Sequence, residues 1–165
     1  IALCMLVIFN VLLAYRHNSD AIAAQATLVL LAIGSTAGSV AGEGGVIVMI
    51  LVAVLLLHGL AVHRSSGNLA SLGIAASNLW VGMHAITDGF EIGSLTVVSL
   101  DHPLKLFMAM VVVNGTNAMV ATRFSSSPNW FSSALEHSGI AKPGLWGISV
   151  MLSMIGALMV VGSVR

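Results

Sequence analysis

The sequence predicts an all-α fold: a polytopic transmembrane helix bundle forming one domain over residues 1–165. Three properties carry that expectation. Hydrophobic residues fill 58% of the positions and charged residues only 7%, and the mean hydropathy of +1.02 lies outside the range of soluble domains. Apolar runs near the length of a membrane-crossing helix, about 20 residues, recur along the whole chain. Short polar breaks separate them, as in polytopic membrane proteins.

Six such segments follow one another. The first, 1–15, is short, and the chain opens at Ile1 without an initiator methionine, so a trimmed N-terminus is expected. The second, 21–40, ends in small residues (Ala32, Gly34, Ser35, Ala37, Gly38, Ser39) that allow close helix contact in lipid. The third, 45–62, follows the turn Ala41-Gly42-Glu43-Gly44-Gly45, whose glycines permit tight backbone geometry. The fourth, 69–100, is over-long at about 1.5 Å per residue and is expected to tilt, extend or bend near Gly89 and Gly93. The fifth, 103–122, begins with Pro103, suited to a first helical turn. The sixth is 143–164. The one long connection, 123–142, holds Ser125-Ser126-Ser127-Pro128 and then Trp130 and Phe131, which predict a short helix at the membrane interface.

Arg16, Arg64, Arg123 and Lys142 fall in odd-numbered connections, with Lys105 and Arg165 on the opposite side. This bias places the odd connections in the cytoplasm and the N-terminus outside. Six basic and six acidic residues give zero net charge, with no basic surface for nucleic acid. The expected partners are the lipid bilayer and either further copies of the chain or other membrane subunits. Cys4, the single cysteine, excludes an intrachain disulfide and a cysteine-cluster zinc site.

The chemistry concentrates in Met83-His84-Ala85-Ile86-Thr87-Asp88-Gly89-Phe90-Glu91-Ile92-Gly93, where ionisable groups interrupt an apolar run. On a continuous helix, at about 100° per residue, positions 84, 88 and 91 fall within roughly 60° of one another. His84, Asp88 and Glu91 would then offer nitrogen and oxygen ligands to a divalent cation, or relay a proton. The same stripe also reads as a hydrogen-bonded triad that fixes helix packing.

The pattern His-x-x-x-Asp-Gly-x-x-Ile-Gly over positions 84–93 resembles the fourth-helix signature of the ZIP family of divalent-metal transporters, His-Asn-x-x-Asp/Glu-Gly-Leu-Ala-x-Gly. The motif falls on the fourth apolar segment, and that family shares the external N-terminus and the cytoplasmic connection before this helix. The resemblance implies a metal site between the fourth and fifth helices near the bilayer midplane, with His84 and Asp88 as ligands and Glu91 beside them. Zinc, iron or manganese would be the cargo. The chain departs from the family in its fifth segment. Val113-Asn114-Gly115-Thr116-Asn117-Ala118-Met119 replaces His-Glu-x-Pro-His-Glu or His-Asn-x-Pro-Glu-Gly, leaving Asn114 and Asn117 as amide ligands or as hydrogen-bond partners of His84 and Asp88. Position 85 is Ala where the family has Asn, and six rather than eight helices are visible.

Other polar features rank lower. His58 and His63, five apart at one end of the third segment, read as interfacial residues. Haem held between His58 and His84 is disfavoured by their unequal depth. Glu136-His137, adjacent and so about 100° apart on a helix, makes a poor metal pair. No Gly-x-Ser-x-Gly elbow or His-Glu-x-x-His helix is present, so the chain reads as a transporter or accessory subunit rather than an enzyme. The expected function is divalent-metal transport or binding within the membrane. The alternative is a small accessory or structural subunit of a larger membrane complex, including a membrane metalloenzyme.

Overall fold

A computed structural model describes residues 9, 12–13, 16, 19–22, 24–25, 28–29, 38–86, 90–92, 95–97, 102–139 and 144–163. From residue 38 onward the described residues form five helices: α1 (Gly38–Arg64), α2 (Gly67–Ile86), α3 (Pro103–Arg123), α4 (Trp130–His137) and α5 (Leu145–Ser163). The described residues between 9 and 29 are helical except Ser19. The class is therefore all-α. Its one departure among the described residues is a small antiparallel pair, β1 (Phe90–Ile92) and β2 (Leu95–Val97), between α2 and α3. The expected segments 1–15 and 21–40 lie largely outside the described residues.

Local chemistry accounts for the boundaries. Gly42, at φ +65° and ψ −172°, breaks α1 near its start in a conformation that suits glycine, as the glycine-rich turn predicts. Ser66 accepts from the Leu69 amide at 3.3 Å and caps α2. Pro103 sits in the first turn of α3. Asn129 caps α4 by accepting from the Ser132 amide at 2.9 Å, and Gly139, at φ +78°, follows its last turn. The interfacial aromatics thus do open a short helix.

The expectation of one helix over 69–100 is corrected: α2 ends at Ile86. Thr87-Asp88-Gly89 supplies poor helix formers, and the sequence beyond has two apolar triplets flanking Gly93-Ser94. Ile92 pairs with Leu95, Glu91 with Thr96 and Phe90 with Val97, so the pair closes over two residues, as a Gly-first hairpin connection favours. Glu91 accordingly lies on a strand and not on the helix that carries His84.

The polar groups at helix ends define the topology. Lys105 and Glu43 pair at 3.1 Å, which brings the starts of α1 and α3 to the same end of the bundle. At the other end, Arg64 pairs with Asp20 at 2.9 Å and Ser66 donates to the second oxygen of Asp20 at 2.7 Å. Gly144, at the start of α5, lies against the Ser125 carbonyl just beyond α3. Hence α1 and α3 run one way and α2 and α5 the other.

Between these ends the outward faces are apolar, with Val52, Leu55, Phe107, Met108, Met154 and Leu158 exposed. The interior instead buries His58, Ser71, Ser77, Asn78, His84 and Asn117. Polar inside and apolar outside is the arrangement that hydrocarbon requires. Among the described residues three helices are long and apolar enough to cross a membrane: Gly42–Arg64, Leu104–Arg123 and Leu145–Gly162. The protein is a membrane protein by these spans.

α2 is the central element, packed against α1, α3, α4 and α5. Its 20 residues give a rod about 30 Å long, and its glycines let neighbours approach. A Cβ at Gly73 would stand 2.8 Å from the His58 ring, and one at Gly82 would stand 2.6 Å from the Met159 sulfur. On the facing helix, a Cβ at Gly156 would meet the Met110 methyl at 2.9 Å. Close backbone approach of this kind holds helices together where no hydrophobic driving force separates helix from lipid. Replacing Gly73 with Val should lower stability in detergent by about 1–3 kcal/mol, the cost of overpacking. Gly115→Ala, with nothing within 4 Å of the added carbon, should leave the melting temperature unchanged. Equal melting of the two variants would contradict the packing described for α2.

Candidate functional site

The polar interior divides into two levels. The first is a hydrogen-bonded knot joining three helices. His58 of α1 donates from Nε2 to Asn117 Oδ1 at 2.7 Å, and Asn117 of α3 donates from Nδ2 to Ser77 Oγ of α2 at 3.0 Å. The Ser77 hydroxyl has one proton and two acceptors in reach, Ile74 O at 3.2 Å and Asn117 Oδ1 at 3.3 Å. With Asn117 Oδ1 as acceptor, the imidazole carries its hydrogen on Nε2 and leaves a lone pair on Nδ1. That Nδ1 is buried with no partner among the described residues, beside Gly73. Asn78, one residue along, donates to Ile74 O at 3.0 Å, while its Oδ1 is buried against Gly156 without a partner among the described residues.

The second level is His84, 1% exposed and in the last turn of α2. Its ring meets Trp80 edge-on, with centroids 6.2 Å apart. His84 follows Ser77 by seven residues, which on a helix means the same face and about 10 Å of rise. Between the levels lies a layer of Val81, Val54, Val113 and Met110, all buried. The two polar levels are separated by apolar packing.

This geometry rearranges the expected site. His84 is buried as expected, but the end of α2 moves it from mid-helix to the Lys105–Glu43 end of the bundle. Asn117 bonds to His58 and Ser77, about 10 Å along α2 from His84. Asn114 accepts from Ser153 Oγ of α5 at 2.9 Å. Neither amide is a hydrogen-bond partner of His84, and Asn117 and His84 stand too far apart along the helix to share an ion as arranged. Asp88 lies outside the described residues, and for Glu91 only the backbone is described, in β1. Among the described residues no group of three or more His, Cys, Asp or Glu side chains is placed to hold a metal.

His58 and Ser77 are the polar groups that sequence reasoning undervalued. Counting from the apolar run puts His58 near a helix edge, yet α1 continues to Arg64 and leaves it 4% exposed, more than a turn inside. Its partner Asn117 stands 59 positions away, and Ser77, joined to it through Asn117, 19 positions away, where no local spacing rule operates. The usable signal was an ionisable side chain within an apolar helix. Comparison with family models, curated proteins and solved structures gives no match to this chain.

If the knot couples α1 to α3, then His58→Phe and Asn117→Leu should be non-additive. A double-mutant cycle in detergent should give a coupling of about 0.6–1.7 kcal/mol, the measured span for interhelical hydrogen bonds in membranes. Strict additivity of the two melting shifts would show the contact to be energetically idle.

Proposed function

We propose that this chain handles a divalent metal ion within the membrane as cargo, in the manner of the ZIP-like transporters that positions 84–93 resemble. The observation that supports the reading is His84: a fully buried imidazole in the last turn of the central helix α2, followed in the chain by Asp88 and Glu91. Imidazole nitrogen with carboxylate oxygens suits zinc, iron or manganese. In this reading the ion is met at the end of α2 by His84 with Asp88 and Glu91. The His58–Asn117–Ser77 knot is a second polar station deeper along the same face of α2. The Val81–Val113 layer between them acts as a closed barrier, of the kind alternating access needs on one side of a site.

Orientation follows from the basic residues. The end bearing Arg64 and Arg123 faces the cytoplasm, and the Lys105–Glu43 end with His84 faces outward. A cation arriving from outside would then reach His84 first.

Metal analysis of the detergent-purified protein, equilibrated separately with zinc, iron(II) and manganese, tests the reading. One equivalent of at least one of these should bind to the wild type, and His84→Ala, Asp88→Ala should abolish it. Stoichiometric metal retained by the double variant would overturn the assignment.

A further inference from the structure

The outward side of α3 and α5 carries a polar feature that the metal reading does not use. Asn114 and Ser153, hydrogen-bonded to each other across the two helices, line a groove of about 290 Å³ together with Trp146, Ala118, Ser149 and Ala157. Asn114 accepts from Ser153, and among the described residues no acceptor meets its two amide hydrogens. Ser149 is 3% exposed, opens onto the groove, and its hydroxyl has no hydrogen-bond partner among the described residues. Residues carrying three donor hydrogens without an acceptor among the described residues thus line an apolar-rimmed groove.

Depth decides what can meet them. Asn114 stands eleven residues from Pro103 and nine from Arg123, so about 16 Å and 14 Å from the two ends of α3. That is the middle of a hydrocarbon layer about 30 Å thick, beyond the reach of headgroups and bulk water. Unmet donors at such a depth are costly, and their acceptors come from another transmembrane helix. The surface is built to receive one. Ser149, Ser153 and Ala157 recur every four residues on α5, a small-residue row that lets a second backbone approach closely.

We propose that this groove is the contact surface with a second copy of the chain. The patch is self-complementary: Asn114, Ser149 and Ser153 bring donors and open oxygen lone pairs to nearly one level. A two-fold axis along the membrane normal keeps every residue at the depth of its counterpart. Each copy's amide and hydroxyl donors then face the other's oxygens, and each copy's Ala157 row seats against its equivalent. An unrelated helix would satisfy the donors only if it carried acceptors at this same level. The proposal rests on the membrane spans alone and stands apart from the metal reading.

Disulfide trapping in native membranes tests it, with Cys4→Ser as background. Ala157→Cys should yield a product of twice the monomer mass on oxidation, whereas Val52→Cys, on the outward face of α1, should not. In parallel, single-molecule photobleaching of the labelled full chain in bilayers should show two-step traces. Ala157→Leu, which fills the groove at an exposed position without removing a hydrogen bond, should weaken dimerisation by about ten-fold or more, the scale of overpacking a close contact. Its unchanged melting profile would show that the monomer remains folded. One-step traces for the wild type, cross-linking at Val52 as strong as at Ala157, or a trapped product whose partner has another mass would overturn the proposal.

Discussion

The amide of Asn117 is the point on which the bundle depends. It takes a hydrogen bond from α1 and gives one to α2 while belonging to α3, so three helices meet at one level through one side chain. In water such bonds would compete with solvent and add little. Within hydrocarbon the competitor is absent, and an unmet imidazole or amide is costly. Once His58, Ser77 and Asn117 occupy these helices, the helices have to be neighbours, with α2 on the inside. The close approach at Gly73 follows, because the His58 ring needs the space that a side chain there would take.

The placement of α2 also explains why its composition differs from that of its neighbours. A helix with Asn68, Ser71, Ser77, Asn78 and His84 is a poor candidate for contact with lipid. α1, α3 and α5 present Val52, Leu55, Phe107, Met154 and Leu158 outward and shield it. At its first turn α4 completes the cover: the Trp130 amide donates to Asn68 Oδ1 at 2.9 Å, and Phe131 and Leu135 pack toward the core. Charge is kept to the two ends, where Arg64–Asp20 and Lys105–Glu43 fix which helix ends share a side. Exposed pairs such as the second contribute little energy; they report topology more than they stabilise it.

Much of this architecture was legible in the residues. The apolar runs marked α3 and α5 to within a few positions of their ends and α1 at its C-terminal end, although α1 begins at Gly38, seven residues before the expected start and within the segment expected as 21–40, and Trp130-Phe131 marked α4. The fourth run misled because its hydropathy continues past Ile86 although its conformation does not. Hydropathy measures what a segment can be buried in, and it does not separate a helix from a strand when both are apolar. The discriminating signal was present in Gly93-Ser94 between two triplets rich in aromatic and branched residues. The site was less legible than the fold, for a related reason. The stripe of His84, Asp88 and Glu91 presumed one continuous helix, whereas the knot at His58 is assembled from residues whose proximity only tertiary packing creates.

The sulfur contacts made at α5 have a mechanical consequence. On one side α2 is held to α1 and α3 by short, directional bonds that fail if either helix shifts by an ångström or so. On the other side it meets α5 where the Met159 thioether lies over Gly82, and Met110 of α3 likewise lies over Gly156 of α5. Thioether chains re-route through several torsions at small cost. α2 is therefore tied to α1 and α3 by directional bonds and to α5 by close packing that includes a chain able to re-route.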